Sequence, residues 1–430
     1  MCSRKFTRTC CLLLLIVLDP QRTHAASCDE VYAQLMLNEH SHSELPFGAS
    51  AEAPVAKKGK WVPGNSKAEV RHKGMPLAAE HPVDVPAFVS GPFVKHGKIL
   101  GPNGDIKALY NPTAFVGRKN GKEKVFIVAR AEKELPEDSP WARLSLPKLY
   151  ESDDGLHFTL SQEKPLFEPS LPSDLLGGIE DPRIARFDLQ PVIHEGKSFD
   201  SAILFTAYDG KTARISTTLF NRNDLGGEFR KIGPLFDDAD MIKNPLVPGN
   251  PAWNKSAAAI QYADPKTGKI RNILYAGEGA ADHGGIMAME SDTPLGWKWP
   301  AHQKPSITTR PGEYDHGLVE AAFEPVIGPL PPELAKATGQ THGIYVTLHG
   351  DAPPKGYQVG YRIFSLENPT GKPIYASKGP FLSPTEPWEI NGQVEKVVFA
   401  SGSVEFKGRR FIYYGAADSY IGAASAPIAK

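Results

Sequence analysis

Disulfide chemistry has little to work with in this chain: there are four cysteines in 430 residues, and Cys2, Cys10 and Cys11 all fall at the extreme N-terminus. Removal of a leader over residues 1–27 would leave Cys28 alone, so stability has to come from a buried core. A charge excess is also lacking. With 48 Lys plus Arg against 49 Asp plus Glu, the formal net charge is −1, and no overall field exists to gather nucleic acid or an anionic bilayer. Long apolar runs are missing too. The unbroken run Cys10 to Leu18 is far short of the ~20 residues a spanning helix needs, so no membrane span is expected. There is no Gly-x-x-x-x-Gly-Lys phosphate loop, no Gly-x-Ser-x-Gly elbow and no dinucleotide fingerprint, which argues against nucleotide-driven and serine-hydrolase chemistry. His283, His316, His342 and His349 show neither an i, i+4 pair nor a finger-like arrangement with cysteine, so no metal and no other cofactor is expected.

What is present describes a globular protein: 41% hydrophobic residues and 9% aromatics exclude disorder and collagen-like repeats. Residues 1–27 read as an export signal. Arg4, Lys5 and Arg8 precede the apolar run, and Thr23-His24-Ala25-Ala26 supplies small residues for cleavage. The competing reading is a short buried helix. The expected location is therefore secreted or periplasmic, and Ala25-Ala26-Ser27-Cys28 also loosely resembles a lipoprotein box with a lipid anchor at Cys28. Residues 28–95, rich in Pro, Ala and Lys, suggest an N-terminal extension against a domain spanning 96–430.

From about residue 96 the chain turns into short apolar or alternating runs separated by Gly, Pro, Asn and Asp, the pattern of an all-β protein. Runs beginning at Val125, Ala202, Arg271, Gly343 and Arg410 recur every 67–77 residues. Each follows a second β-like run, at Asn111–Val116, Asp181–Phe187, Asn254–Ile260, Glu320–Ile327 and Lys396–Phe406. Five repeats of this period predict a five-bladed β-propeller; two stacked sandwich domains are the alternative.

In a propeller the first strand of every blade lines the central channel, so polar groups opening those strands converge. They are Asn111-Pro112, Glu180-Asp181-Pro182-Arg183, Asn254-Lys255, Glu320 with Glu324, and Ser401-Gly402-Ser403. Carboxylates mixed with amides and cations suit a polyhydroxylated ligand, whose hydroxyls donate to the former and accept from the latter. The expected partner is an oligosaccharide or glycan. Pro182 is expected to hold Asp181 in an extended conformation, with Arg183 close enough to keep a neighbouring carboxylate ionised. Read alone, the same motif also fits a turn in which Arg183 merely pairs with Glu180 or Asp181.

The ordered series Asn111-Pro112, Arg130-Ala131-Glu132, Glu180-Asp181-Pro182-Arg183, Asn254-Lys255, Val397 to Gly402 and Tyr413 to Asp418 closely resembles glycoside hydrolase family 130. That family comprises five-bladed propellers acting on β-mannosides as phosphorylases or hydrolases. The resemblance covers roughly residues 105–425. It implies that Asp181 is the general acid, protonating the glycosidic oxygen through the 3-hydroxyl of mannose. It also implies that Asn111, Arg130 and Asp418 line the terminal-sugar pocket, with Lys255 in a looser match and Arg183 within the acid motif. A structural pairing of Arg130 with Glu132 is the alternative for that residue.

Phosphorylases of the family carry a His-Arg-Pro-like strand end after the Asn-Lys segment; here the strand ends Tyr275-Ala276-Gly277-Glu278-Gly279. A carboxylate there repels phosphate and is able to accept a proton from water. Glu278 and Glu320 are therefore the expected water-activating pair of an inverting hydrolase. Glu324, four positions from Glu320, is expected on the same strand face as a reserve base or substrate contact, and His349 is expected to line or cap the pocket. The expected activity is hydrolysis of β-mannosides, β-1,2-linked first. A phosphorylase releasing mannose 1-phosphate and a non-catalytic carbohydrate-binding propeller are the alternatives.

Overall fold

The computed structural model describes residues 82–136, 139 and 142–429; the export signal, Cys28 and most of the expected extension lie outside them. The fold is all-β, with three short helices among the described residues. The first strand, β1 (Val94–Leu100), is followed by a unit of β2 (Ile106–Lys119), β3 (Lys122–Glu134), β4 (Arg143–Ser152) and β5 (Thr159–Leu160). A second unit holds β6 (Gly178–Arg186), the excursion β7 (Val192–His194) and β8 (Lys197–Phe199), then β9 (Ser201–Tyr208), β10 (Ala213–Phe220) and β11 (Arg230–Pro234). The third holds β12 (Ala257–Ala263), β13 (Ile270–Ala276), β14 (Glu278–Ala280), β15 (His283–Gly284) and β16 (Met287–Ser291). The fourth holds β17 (Leu318–Ala321), β18 (Val326–Pro329), β19 (His342–Asp351), β20 (Tyr357–Ser365) and β21 (Tyr375–Ala376). Last come β22 (Val398–Phe406), β23 (Arg409–Ala416) and β24 (Tyr420–Pro427).

The expected pairs of runs are the first two strands of each unit, hydrogen-bonded antiparallel: β2 with β3, β6 with β9, β12 with β13, β17 with β19 and β22 with β23. The second strands are apolar at their centres, where both faces are covered. Ile127, Ile203, Ile273, Ile344 and Ile412 are all fully buried, each burial contributing about 1.5–3 kcal/mol of transfer free energy.

Five apolar clusters join the units in succession. Phe126 and Val128 of the first unit meet Ile184 and Phe205 of the second. Leu204 and Ile215 of the second meet Leu274 and Met287 of the third, and Ile273 and Tyr275 meet Ile344 and Phe364. Tyr345 and Tyr361 of the fourth meet Val398 and Tyr414 of the fifth. The last cluster packs Val404, Phe411 and Tyr413 against Ile127 and Ala129 of the first unit. The fifth unit is completed by β1, which pairs with β24 to give the order β1-β24-β23-β22.

The expected domain start at residue 96 falls inside β1, and the chain is already packed before it. Phe88 and Val89 are buried in the cluster between the fourth and fifth units, and Asp84 accepts hydrogen bonds from the hydroxyls of Tyr361 and Tyr375.

Candidate active site

The innermost strands carry their polar residues where the regular ladder breaks. Register shifts interrupt β2 between Tyr110 and Thr113, β6 between Glu180 and Arg183, and β22 between Ala400 and Gly402. Asn111 and Asp181 sit in two of these bulges at φ 45° and 48°. Asp181 is therefore not extended, contrary to the expectation from Pro182. The bulge twists the backbone into the left-handed region, which Asn and Asp tolerate better than other residues with a Cβ. Each of the two is followed by proline, which removes the backbone donor the broken ladder no longer uses.

Arg130, on β3, organises this side of the site. Its guanidinium lies 3.1 Å from Asp181, 2.8 Å from Glu180 and 3.2 Å from Glu132, and its Nε donates to Ser145 at 3.0 Å. Arg130 thus pairs with Glu132, as its alternative reading expects, and also with the two carboxylates of the acid motif. Tyr110 donates to Glu132, and Arg143 pairs with the same carboxylate at 2.9 Å. Burial pushes Asp181 up, but Arg130, Arg183 and the Asn111 amide outweigh it and hold its carboxyl below the usual range. Glu180 goes the other way: burial, with Asp181 and Glu132 adding to it against Arg130, pushes it up to about 7. Asp418 is likewise raised to about 7, by burial first, with Asp181 and Glu132 reinforcing it against the pull of Arg130.

The other side is built by a strand that changes sheets. At Gly277, φ 119°, the chain leaves β13 and continues as β14, which pairs with β17 of the next unit. A Cβ at this glycine would meet the Gly285 carbonyl at 2.7 Å, so the crossing requires glycine. The crossing sets Glu278 directly opposite Glu320 in the antiparallel register. Lys255 lies 3.2 Å from Glu278 and 3.6 Å from Glu320. Trp253 donates from Nε1 to Glu278 at 2.9 Å, and Ser256 donates to Glu320. Glu320 is raised by burial and by Glu278, against the opposing pull of Lys255.

The two sides form one electrostatic cluster. Lys255 lowers the affinity of Glu180, Asp181, Asp418 and Glu320 for protons, and Asp181 raises that of Glu320. Asp181, Glu278 and Glu320 are more than nine-tenths buried, whereas Lys255, Glu180 and Asp418 stay partly exposed and mark the side facing solvent.

Three expected ligand contacts are placed otherwise. Glu324 lies beyond the end of β17 at Ala321, so the strand alternation that would have aligned it with Glu320 no longer applies. Its carboxylate accepts from Arg186 Nε at 2.8 and 2.9 Å, away from the cluster. Arg183 is 1% exposed and donates to the Ala322 and Asp181 carbonyls, supporting the site from behind. His349, fully buried, stacks on Phe399 and bonds the Ala400 carbonyl through Nε2 at 2.9 Å; burial, with Arg183 adding to it, keeps the ring well below its usual pKa and hence neutral. Trp253, Ser256 and Tyr110 are participants that sequence reasoning missed. The first two flank Asn254-Lys255, so their position beside that segment was the available signal. No group of three or more His, Cys, Asp or Glu suited to a metal ion occurs among the described residues, and no helix among them is long and apolar enough to cross a membrane.

Comparison with known proteins finds mannoside phosphorylases among the relatives. A beta-1,2-mannobiose phosphorylase of Thermoanaerobacter sp. is 42% identical over 82 residues, 19% of this chain and 27% of the relative. The chain thus aligns with only about a quarter of that relative's length. Among solved structures, one described with a family of mannoside phosphorylases containing hydrolases that target β-1,2 mannosidic linkages in Candida mannan superposes with a TM-score of 0.61 at 22% identity, over 80% of this chain and 96% of that one. The beta-1,2-mannobiose phosphorylase of Listeria innocua, in complex with β-1,2-mannobiose, superposes with a TM-score of 0.57 at 19% identity, over 78% and 96%. These likenesses concern the fold. Residues 253–430 match the family model described as beta-1,4-mannooligosaccharide phosphorylase, so this part of the chain is similar to glycoside hydrolase family 130.

Proposed function

We propose that this protein cleaves β-mannosidic bonds of oligosaccharides, with β-1,2-linked mannose as the first substrate to test. The observation that supports it most is the gathering of Asn111, Arg130, Asp181 and Asp418 in one cluster, since the family resemblance assigns Asp181 to acid catalysis and the other three to the terminal sugar. In this reading Asp181 relays a proton to the glycosidic oxygen through the mannose 3-hydroxyl. Because Asp181 is held ionised by Arg130 and Arg183, the proton is stored at neutral pH on Glu180 or Asp418, both raised to about 7. Attack on the anomeric carbon from the opposite face then inverts its configuration.

The acceptor favoured by the relatives is inorganic phosphate, because the curated proteins matched are phosphorylases; mannose 1-phosphate is then the product. One observation favours water instead. Lys255, the cation beside the face opposite Asp181 in this scheme, is engaged by Glu278 and Glu320; a carboxylate pair repels a phosphate dianion and accepts a proton from water. Incubation with β-1,2-mannobiose, with and without phosphate, followed by NMR separates the readings. Mannose 1-phosphate formed only with phosphate supports phosphorolysis, and equal release of mannose without phosphate supports hydrolysis. No cleavage of any β-mannoside under either condition would sink the proposal. Export remains part of the proposal, and cell fractionation checks it; a protein found wholly in the cytoplasm would remove it.

A further inference from the structure

The same inner strands that carry the candidate active site run on to a second hollow. β2 gives Asn111 to the site and Phe115 to the hollow, β6 gives Asp181 and then Arg186, and β22 gives Ser403 to the hollow. In the fourth unit Glu320 belongs to the site and Glu324 to the hollow. None of the residues around it belongs to the Asp181–Lys255–Glu320 cluster. Its volume, about 340 Å³, falls at the lower end of small-ligand sites.

The walls are charged but balanced. Arg186 pairs with Glu324 at 2.8 Å, Arg222 with Asp188, and Arg410 with Glu405. Three cations matched by three carboxylates leave no net field to draw in an ion, yet they line the hollow with donors and acceptors. Besides Arg222 Nε, which faces Asp200 at 3.5 Å, two polar atoms there have no hydrogen-bond partner: Ser403 Oγ and Arg410 Nε. Their side chains are more than nine-tenths buried, at 7% and 8% exposure. Leaving such groups unmatched costs about 1–3 kcal/mol each, which a ligand presenting hydroxyls would remove. A hydroxyl accepts from Arg410 Nε and donates to Ser403 Oγ or a carboxylate, while the edges of Val116 and Ile327 offer apolar contact to the carbon face of a ring.

We propose that this hollow is a second, non-catalytic binding site for an uncharged polyhydroxylated ligand of monosaccharide size. It does not depend on the cleavage reading. Equilibrium dialysis of the full chain against radiolabelled D-mannose, with inorganic phosphate as the contrasting probe, tests it. Mannose binding that survives Asp181→Asn but falls at least tenfold in Ser403→Phe, which fills the hollow, supports the site. Ser403→Ala, checked for an unchanged melting curve, is expected to weaken the same binding several-fold and guards against a misfolded Phe variant. Loss of all mannose binding in Asp181→Asn, or phosphate binding abolished by Ser403→Phe while mannose binding is untouched, would overturn it.

Discussion

Asn111 donates from Nδ2 to Asp181 Oδ1 across 2.8 Å, and both residues hold positive φ immediately before a proline. Two strands from neighbouring units are thereby locked at matching irregularities, so the orientation of the Asp181 carboxylate depends on the backbone of both. Asp181→Asn removes the ionisable group while retaining the shape. Turnover of a β-mannoside is expected to fall by about 10² to 10⁴, with an unchanged circular dichroism spectrum; activity within tenfold of the parent would remove Asp181 from the mechanism.

Gly415 lies behind Asn111. A Cβ there would stand 2.0 Å from Asn111 Oδ1 and 2.6 Å from its backbone nitrogen. Gly415→Ala is expected to displace Asn111, cost about 1–3 kcal/mol of stability and reduce turnover out of proportion to that loss. Urea unfolding alongside initial rates checks it, and a fully active, equally stable variant would contradict the close approach.

Lys255 offsets two buried carboxylates. Glu320 is already raised by its burial, and a carboxyl raised in the folded state makes stability fall as pH rises through the interval between its unfolded and folded pKa values. Lys255→Met removes the opposing charge and raises Glu320 further. The expected destabilisation is about 2 kcal/mol or more at pH 8 and smaller at pH 5, read from urea midpoints. Equal losses at both pH values would argue against the electrostatic role.

Asp418 is raised to about 7 mainly by burial. The native state therefore binds the extra proton between pH 4 and 7, and ionisation above that range works against folding. Asp418→Asn is expected to raise the melting temperature at pH 8 by roughly 2 °C and to give no gain at pH 4. A gain at acid pH, or a loss at pH 8, would reverse the sign of the proposed shift.

The five second strands were legible because their centres are buried on both faces and so read as short apolar runs. The strand β1 was not: in Val94-Lys95-His96-Gly97-Lys98-Ile99-Leu100 no residue is fully buried, and a Lys-rich edge strand looks like linker until its partner is known. Asp181 and Glu320 could be nominated from the starts of their units, and Glu278 from the strand end at which the chain departs from the family's phosphorylases. The placement of Glu324 depended on where β17 stops, and the positive φ of Asp181 arises from a register shift that Pro182 does not encode. Trp253 and Ser256 act on Glu278 and Glu320 through contacts between sheets, which local pattern cannot display.

The joining of β1 to β24 has a consequence for biogenesis. The sheet of the fifth unit draws on both ends of the described residues, so an emerging polypeptide can assemble its middle units while this seam stays open. During translation the edge of β23 waits for β24, and β1 waits with it, each presenting unmatched amides until β24 has been made.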